Sequence, residues 1–172
     1  MLNEEKLDRL MSRQEIYDLV CKYMRGIDRL DATLQRSTFH DDATTDYGFF
    51  AGGPDEFVAL AQGILKGHLA NHHMIGQTLI DIEDDVAFGE IYFQAFHRVV
   101  EDGAEYDLFI AGRYIDRYER RQGAWKIAHR SELVDWVRNS AACDQWLEGS
   151  NSLLGARGEA DLSYQRTKLR SA

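Results

Sequence analysis

Proline and cysteine are scarce in this chain. It has one proline and two cysteines among 172 residues. Cys21 and Cys143 lie far apart and lack the spacing of metal ligands, which argues against a disulfide scaffold and against a cysteine-based metal site. Two reduced thiols are typical of a cytoplasmic protein, and we expect that location.

Long apolar runs and an excess of positive charge are also absent. No apolar stretch approaches 18 residues, so we expect no membrane span. Residues 1–10 are charged and amphipathic, which argues against a signal peptide. The net charge of −9 would repel a phosphate backbone, so nucleic acid is not an expected partner.

The motifs of several enzyme classes are missing. The sequence has no Gly-x-Gly-x-x-Gly, no Walker loop, no Gly-x-Ser-x-Gly and no His-Glu-x-x-His. Their absence argues against nucleotide cofactors, serine hydrolysis and zinc proteolysis. Histidine, aspartate and tyrosine residues remain as candidates, and these residue types suit proton transfer.

The first part of the chain has the pattern of three helices. A capping-box sequence starts at Ser12, and apolar residues at helical spacing follow it, which predicts a helix from about Arg13 to Arg29. Asp31 is a plausible N-cap for a short second helix that ends near Ser37. Pro54 suits the first turn of a third helix with one apolar stripe.

The rest of the chain is typical of β-structure. A first strand is expected near 43–50, followed by a Gly-Gly turn at 52–53. Four longer strands are predicted near 72–82, 86–100, 106–120 and 125–138, with short polar turns between them. Consecutive long strands with short turns form an antiparallel meander.

Helices followed by a meander indicate an α+β fold in which helices cover one face of a curved sheet. A cavity between the two layers is the expected binding site. We predict a single domain over 1–155. A helical turn is expected at 144–148, and 156–172 is predicted to be a mobile tail.

Asp28 lies in the last turn of the first helix, on the flank of its apolar stripe. A carboxylate there faces the negative end of the helix dipole, at a cost of about 0.3–1 kcal/mol when exposed. The spacing leaves two interpretations open. Asp28 is either a surface carboxylate paired with Arg25 or Arg29, or a functional group at the edge of the core.

Histidines mark three of the predicted strands. His72 and His73 are adjacent and must point to opposite faces, so only one of them can face a pocket. His97 shares a face with apolar residues and needs a polar partner. His129 is in phase with buried-type residues on the last strand and faces either the pocket or a neighbouring subunit. For each of them a structural role is the alternative.

Tyr47 follows Asp46 on the predicted first strand. A pocket tyrosine can hold a carbonyl oxygen or a water molecule. The alternative is an ordinary strand aromatic.

Three stretches carry a resemblance to a known family. They are Tyr23-x4-Asp28, the run His73-Met74-Ile75-Gly76-Gln77, and the hairpin from Tyr118 to Ile127. The chain resembles the SnoaL-like branch of the NTF2-like superfamily, which includes scytalone dehydratase, the lindane dehydrochlorinase and the bile acid 7α-dehydratase. This resemblance implies a cone formed by a curved sheet and helices, and it implies chemistry without a cofactor or a metal.

The resemblance also implies roles for individual residues. In these enzymes a helix aspartate holds a strand histidine that acts as the base, and the matching positions are Asp28 and His73. Tyr47 and His97 resemble a tyrosine and a second histidine of scytalone dehydratase. The chain departs from that enzyme at Ile27, where a second tyrosine is expected, and at Tyr114, where an asparagine is expected. Scytalone is therefore not the expected substrate.

We predict a cofactor-independent dehydratase or related lyase that acts on a hydrophobic polycyclic or aromatic small molecule. The pocket residues expected from these patterns are Tyr23, Met24, Phe49, Phe50, Phe93, Ile110, Tyr114 and His129. Large side chains on the outer sheet face and the relatives suggest a homodimer or homotrimer. Three alternatives stay open: a non-catalytic binder of hydrophobic ligands, a small subunit of a dioxygenase, and an isomerase resembling ketosteroid isomerase.

Overall fold

Helices and sheet follow one another along the chain as the sequence predicts. In the computed structural model, which describes residues 3–143, 147 and 149–171, three α-helices accompany one six-stranded sheet. The helices are α1 (Glu4–Asp28), α2 (Ala32–Ser37) and α3 (Pro54–Lys66). The strands are β1 (Phe39–Asp46), β2 (Ala51–Gly52), β3 (Ala70–Glu83), β4 (Val86–Glu101), β5 (Ala104–Arg121) and β6 (Ala124–Ala141).

The sheet is curved and does not close into a barrel. Its strand order is β2-β1-β6-β5-β4-β3. The pairs from β3 to β6 are antiparallel, so the predicted meander is confirmed. β1 pairs with β6 in parallel, an arrangement that the sequence pattern did not predict. The core lies between the concave face and the helices, and the predicted α+β class is confirmed.

The hairpin turns that follow β4 and β5 have a left-handed backbone. Asp102 and Gly103 have φ values of 50° and 79°, and Gln122 and Gly123 have φ values of 55° and 77°. Positive φ at both central residues is the geometry of a type I′ turn, whose twist matches that of the flanking strands. Glycine tolerates this conformation without a steric cost.

The first helix begins earlier than the sequence predicts. α1 starts at Glu4, and the Asn3 side chain caps it by accepting a hydrogen bond from the Glu5 amide at 3.0 Å. Ser12 is buried inside the helix, and its hydroxyl accepts a hydrogen bond from Arg120 at 3.4 Å. The capping-box prediction was wrong because the preceding residues continue the helix, whereas an N-cap needs an extended backbone.

The first strand is also displaced from its predicted position. β1 ends at Asp46, and a turn closed by a hydrogen bond from the Tyr47 amide to the Phe50 carbonyl follows it at 2.8 Å. Gly52 lies in β2 rather than in a turn, and Gly53 precedes α3. Tyr47 is therefore a turn residue, which frees its side chain from the alternation of a strand.

Part of the C-terminal segment packs against the end of α1. Arg29 forms an ion pair with Asp161 at 2.9 Å, and the Tyr164 hydroxyl donates to Asp31 at 2.8 Å. These contacts hold 158–164 beside the site described below. The mobility expected for 156–172 stays a prediction, and the helical turn expected at 144–148 lies outside the described residues except for 147.

The outer sheet face carries large exposed apolar side chains. Phe109 and Trp136 are 39% and 48% exposed. The homodimer or homotrimer expected from this face stays a prediction. Within the described part of the chain, no helix has the length and apolarity needed to cross a bilayer.

Candidate functional site

Asp28 and His73 are in direct contact. The last residue of α1 faces the start of β3, and an Asp28 carboxylate oxygen lies 2.7 Å from His73 Nδ1. The backbone amide of His73 donates to the same carboxylate, with 3.1 Å to each oxygen. The side chains are only 7% and 12% exposed for His73 and Asp28. Because the carboxylate accepts a hydrogen bond from the protonated Nδ1, Nε2 is left as the basic nitrogen.

The alternative pairing of Asp28 with a neighbouring arginine does not occur. Arg29 binds Asp161, and Arg25 donates to Ser163 at 2.9 Å. The two arginines hold the C-terminal segment and leave the carboxylate to His73. His72 is exposed on the opposite face of β3, as strand alternation requires.

A second and a third histidine lie next to His73. The His97 ring centroid is 5.0 Å from that of His73 and 4.9 Å from that of His68. The Nδ1 atoms of His68 and His97 are 3.2 Å apart, so one of them is protonated and donates a hydrogen bond to the other. Burial, together with the nearby His73 and His68, lowers the pKa of His97 to about 3. His97 is therefore neutral at physiological pH.

Sequence reasoning did not find His68. It follows α3 and precedes β3, so neither helical nor strand periodicity assigns it a direction. The side-chain amide of Asn71 contacts this histidine. In the orientation in which both its nitrogen and its oxygen are hydrogen-bonded, the nitrogen donates to His68 Nδ1 at 3.1 Å and the oxygen accepts from Arg157 at 3.1 Å. The only signal in the sequence was its position five residues before His73. Because His68 lies in the loop between α3 and β3, that position did not predict which way its side chain points.

A cavity of about 290 Å³ opens beside the histidines, between the helices and the concave face of the sheet. Four residues predicted for the pocket line it, namely Tyr23, Phe49, Ile110 and Tyr114. The predicted catalytic residues Tyr47, His73 and His97 also line it. The remaining walls are mainly apolar residues of α1, α3 and β5. Such a space suits a small hydrophobic molecule.

Tyr47 reaches the cavity from the turn after β1. Its ring stacks on Phe57 with centroids 4.2 Å apart, and its hydroxyl lies 3.0 Å from the Tyr23 hydroxyl. Burial raises the pKa of Tyr47 well above its usual value, and the nearby Tyr23 and Tyr114 raise it further. Both hydroxyls of the Tyr23–Tyr47 pair therefore stay protonated, and one of them can donate to a ligand oxygen.

Three predicted pocket residues lie elsewhere. Met24 borders a groove on the outer side of the Asp28–His73 pair. Phe93 stacks behind Tyr114 with ring centroids 4.5 Å apart, so it supports the wall without forming it. Phe50 packs on Phe57 at 5.9 Å because the turn after Asp46 directs it toward α3.

His129 was also predicted at the pocket, and the structure corrects this. Arg117 pairs with His129 whereas Tyr118 pairs with Ile127, so Ala128 is an extra residue in β6. Such a β-bulge reverses the alternation of the strand. His129 therefore points away from the cavity and bonds to Thr44 at 2.7 Å and to Ser131 at 3.0 Å.

The same bulge turns two charged residues of β6 inward. Arg130 is fully buried and forms a two-pronged ion pair with Asp116, at 2.8 Å and 2.6 Å. The guanidinium also lies over the rings of Tyr23 and Tyr114, at 4.3 Å and 4.0 Å. Glu132 lines the cavity two residues further on. Sequence reasoning missed both residues because uninterrupted alternation places them outside.

Among the described residues, no group of three or more His, Cys, Asp or Glu side chains is placed to hold a metal ion. The site offers acid–base groups: an oriented imidazole, a pair of hydroxyls and a carboxyl, all facing one apolar cavity.

Comparisons with known proteins agree with this architecture. Hexachlorocyclohexane dehydrochlorinase 1 of Sphingobium indicum is 30% identical over 134 residues, which cover 76% of this chain and 86% of the relative. The crystal structure of a type 2 hexachlorocyclohexane dehydrochlorinase superposes with a TM-score of 0.72 at 26% identity, covering 80% of this chain and 94% of that one.

A third protein shares the fold at lower identity. It is a Novosphingobium aromaticivorans protein provisionally assigned as a scytalone dehydratase, with a TM-score of 0.69 and 20% identity. The match covers 78% of this chain and 91% of that one. The family model of the SnoaL-like domain matches residues 8–131, and the chain belongs to the SnoaL-like domain family.

Proposed function

We propose that this protein is a cofactor-independent lyase. It removes a proton and a leaving group from neighbouring carbons of a small hydrophobic molecule bound in the cavity. The contact between Asp28 and His73 carries this proposal, because it leaves one basic nitrogen of known orientation in an apolar space.

His73 is the base in this mechanism. Its Nε2 takes a proton from a carbon next to a carbonyl group or an aromatic ring, and the electrons of that C–H bond form the new double bond. Asp28 holds the tautomer with the proton on Nδ1 and stabilises the imidazolium that forms. A positioned base of this kind contributes about 10²–10⁴-fold to the rate.

The tyrosine pair supports the negative charge that develops on the substrate. A hydroxyl of the Tyr23–Tyr47 pair donates to the carbonyl oxygen as it becomes an enolate oxygen. Removal of one such donor costs about 10²–10³-fold in other enzymes. The apolar walls exclude water and favour an aromatic or polycyclic substrate.

The relatives support an elimination. The curated relative at 30% identity and the structure at 26% identity are both named as hexachlorocyclohexane dehydrochlorinases. This chain covers 86% of the curated relative, so the comparison concerns nearly the whole of that protein.

Turnover of a matched pair of ketones tests the proposal. The probes are 3-chloroindan-1-one and 3-hydroxyindan-1-one, which share the acidic C–H beside the carbonyl and differ only in the leaving group. Formation of indenone is followed by absorbance, with the uncatalysed rate subtracted. We expect the parent protein to accelerate at least one reaction, and His73→Gln to lose about 10²–10⁴-fold of that acceleration.

His72→Gln is the control, because it removes an exposed histidine from the adjacent position of the same strand. Equal losses in both variants would contradict the role of His73. Binding without turnover in the parent would favour the ligand-binding or small-subunit alternative. An isomerase with a carboxylate base would tolerate the His73 substitution.

A further inference from the structure

Glu132 is a carboxyl group in the same cavity to which the mechanism has assigned no role. We propose that Glu132 is the proton donor to the leaving group and that the leaving group is therefore a hydroxyl. This inference rests on the proposed elimination and narrows its substrate class to β-hydroxy carbonyl compounds, from which the protein removes water.

The register of the sheet places Glu132 at the site. On the concave face, Glu132 is the direct cross-strand partner of Tyr114, and both side chains line the cavity together with His73. Directly opposed residues of an antiparallel pair present their side chains to the same face. The cavity thus has a base from β3 and a carboxyl from β6 on its walls.

The Glu132 carboxyl makes few contacts with the described part of the chain. Among the residues that the structure describes, none forms a hydrogen bond or an ion pair with it. Its nearest cation is Arg130, whose guanidinium is already bound through two nitrogens to Asp116. The carboxyl lines the cavity, so its oxygens are available to bond to a ligand there.

The surroundings of Glu132 favour its protonated form. Burial raises the pKa of Glu132 to about 7, and the attraction of Arg130 offsets this only in part. The other titratable groups that face it are Tyr23, Tyr47 and Tyr114, all of which stay neutral. A substantial fraction of Glu132 is therefore protonated at neutral pH, as a general acid requires.

The chemistry needs such an acid only for an oxygen leaving group. Chloride is a stable anion and departs without a proton, whereas hydroxide is a strong base and must be protonated as it leaves. His97 cannot serve as a strong acid because its pKa of about 3 keeps it neutral. In the proposed step, His73 takes the carbon-bound proton, the C–H electrons form the double bond, and the C–O electrons leave with oxygen. Glu132 gives its proton to that oxygen, which departs as water.

Glu132→Gln separates this role from the elimination itself. We expect kcat/KM for 3-hydroxyindan-1-one to fall by about 10²–10³-fold. We expect the value for 3-chloroindan-1-one to change by less than about threefold, because loss of chloride needs no acid. In the parent, kcat/KM for the hydroxy ketone should decline above about pH 7, and Glu132→Gln should lack this decline. Glu101→Gln, at an exposed hairpin end, is the control.

The outcomes distinguish the two proposals. Turnover of the chloro ketone alone by the parent would support the elimination and overturn the role of Glu132. Equal losses on both ketones in Glu132→Gln would also overturn it. Turnover of neither ketone would overturn both proposals. An ordinary carboxyl titration of Glu132, measured by ¹³C NMR in the parent, would overturn the acid role independently of activity.

Discussion

The carboxylate of Asp28 contacts both the ring and the backbone of His73. One oxygen lies 2.7 Å from Nδ1, and both oxygens lie 3.1 Å from the amide nitrogen. The first contact sets the tautomer of the ring, and the second connects the end of α1 to the start of β3. The residue that orients the base also sets the distance between helix and strand.

Asp28→Asn should therefore change the tautomer of His73 as well as the activity. An amide can donate a hydrogen bond to Nδ1, which would stabilise the wrong tautomer and reduce kcat by about 10²–10⁴-fold. The ¹⁵N shifts of the ring report which nitrogen carries the proton. Asp18→Asn, on the exposed face of the same helix, should leave both measurements unchanged. An unaltered tautomer in Asp28→Asn would remove the basis for the orienting role.

His97 should make the fold sensitive to acid. The pKa of His97 is about 3 in the folded protein, whereas a histidine in an unfolded chain has a pKa of 6.5. Between these two pH values the unfolded chain therefore binds a proton that the folded chain does not. The contribution of neutral His97 to the free energy of unfolding is fully present above about pH 6.5 and is lost progressively as the pH falls toward 3. At pH 5 the loss is about 2 kcal/mol.

Urea unfolding at pH 7.5 and pH 5 measures this effect. His97→Asn should show a smaller drop in the free energy of unfolding between the two values than the parent shows. His72→Gln removes an exposed histidine and should leave the drop unchanged. Identical drops in the parent and in His97→Asn would exclude His97 as the source.

The Arg130–Asp116 pair should be essential for stability. Both side chains are 0% exposed, so Asp116→Asn leaves a buried guanidinium without a counter-charge. We expect a loss of about 3–5 kcal/mol in the free energy of unfolding. Asp135→Asn breaks a solvent-exposed ion pair with Arg113 and should have a much smaller effect, because water screens that pair. Comparable losses in urea unfolding of the two variants would contradict this prediction.

Asp161 should hold the C-terminal segment against α1. Hydrogen bonds from Ser163 and from the backbone, together with Arg29, hold the pKa of Asp161 well below its usual range. Asp161→Ala removes these contacts, and trypsin should then cut after Arg157 faster than in the parent. Glu159→Ala changes an exposed carboxylate in the same segment and is the matched control. Equal rates of cleavage, followed by mass spectrometry, would show that Asp161 is not the anchor.

Local signals predicted the elements of this fold but not all of their bounds. The meander from β3 to β6 follows from alternating apolar residues and from turns such as Asp102-Gly103. The start of α1 was missed because the sequence after Ser12 has the form of a cap while the residues before it are equally helical. A capping pattern describes a preference, and the neighbouring turns decide whether the helix uses it.

The site contains residues that the resemblance to a family identified and residues that the sequence did not reveal. Asp28 and His73 were chosen by motif position, since alternation could not choose between His72 and His73. His68 lies in a connection without periodicity, and no local pattern could assign it to the site. Arg130 and Glu132 were missed because a bulge is visible only in the pairing with the partner strand.

The sequence by itself determined the order of helices and strands, the antiparallel meander and the positions of its short turns, because these depend on residues that are near one another in the chain. Only the tertiary structure decided which residues face the cavity. One extra residue at Ala128 exchanges the inner and outer faces of the part of β6 that follows it. The parallel pairing of β1 with β6 brings Tyr47 next to Tyr23. Both effects depend on the contact of distant segments, which local periodicity does not contain.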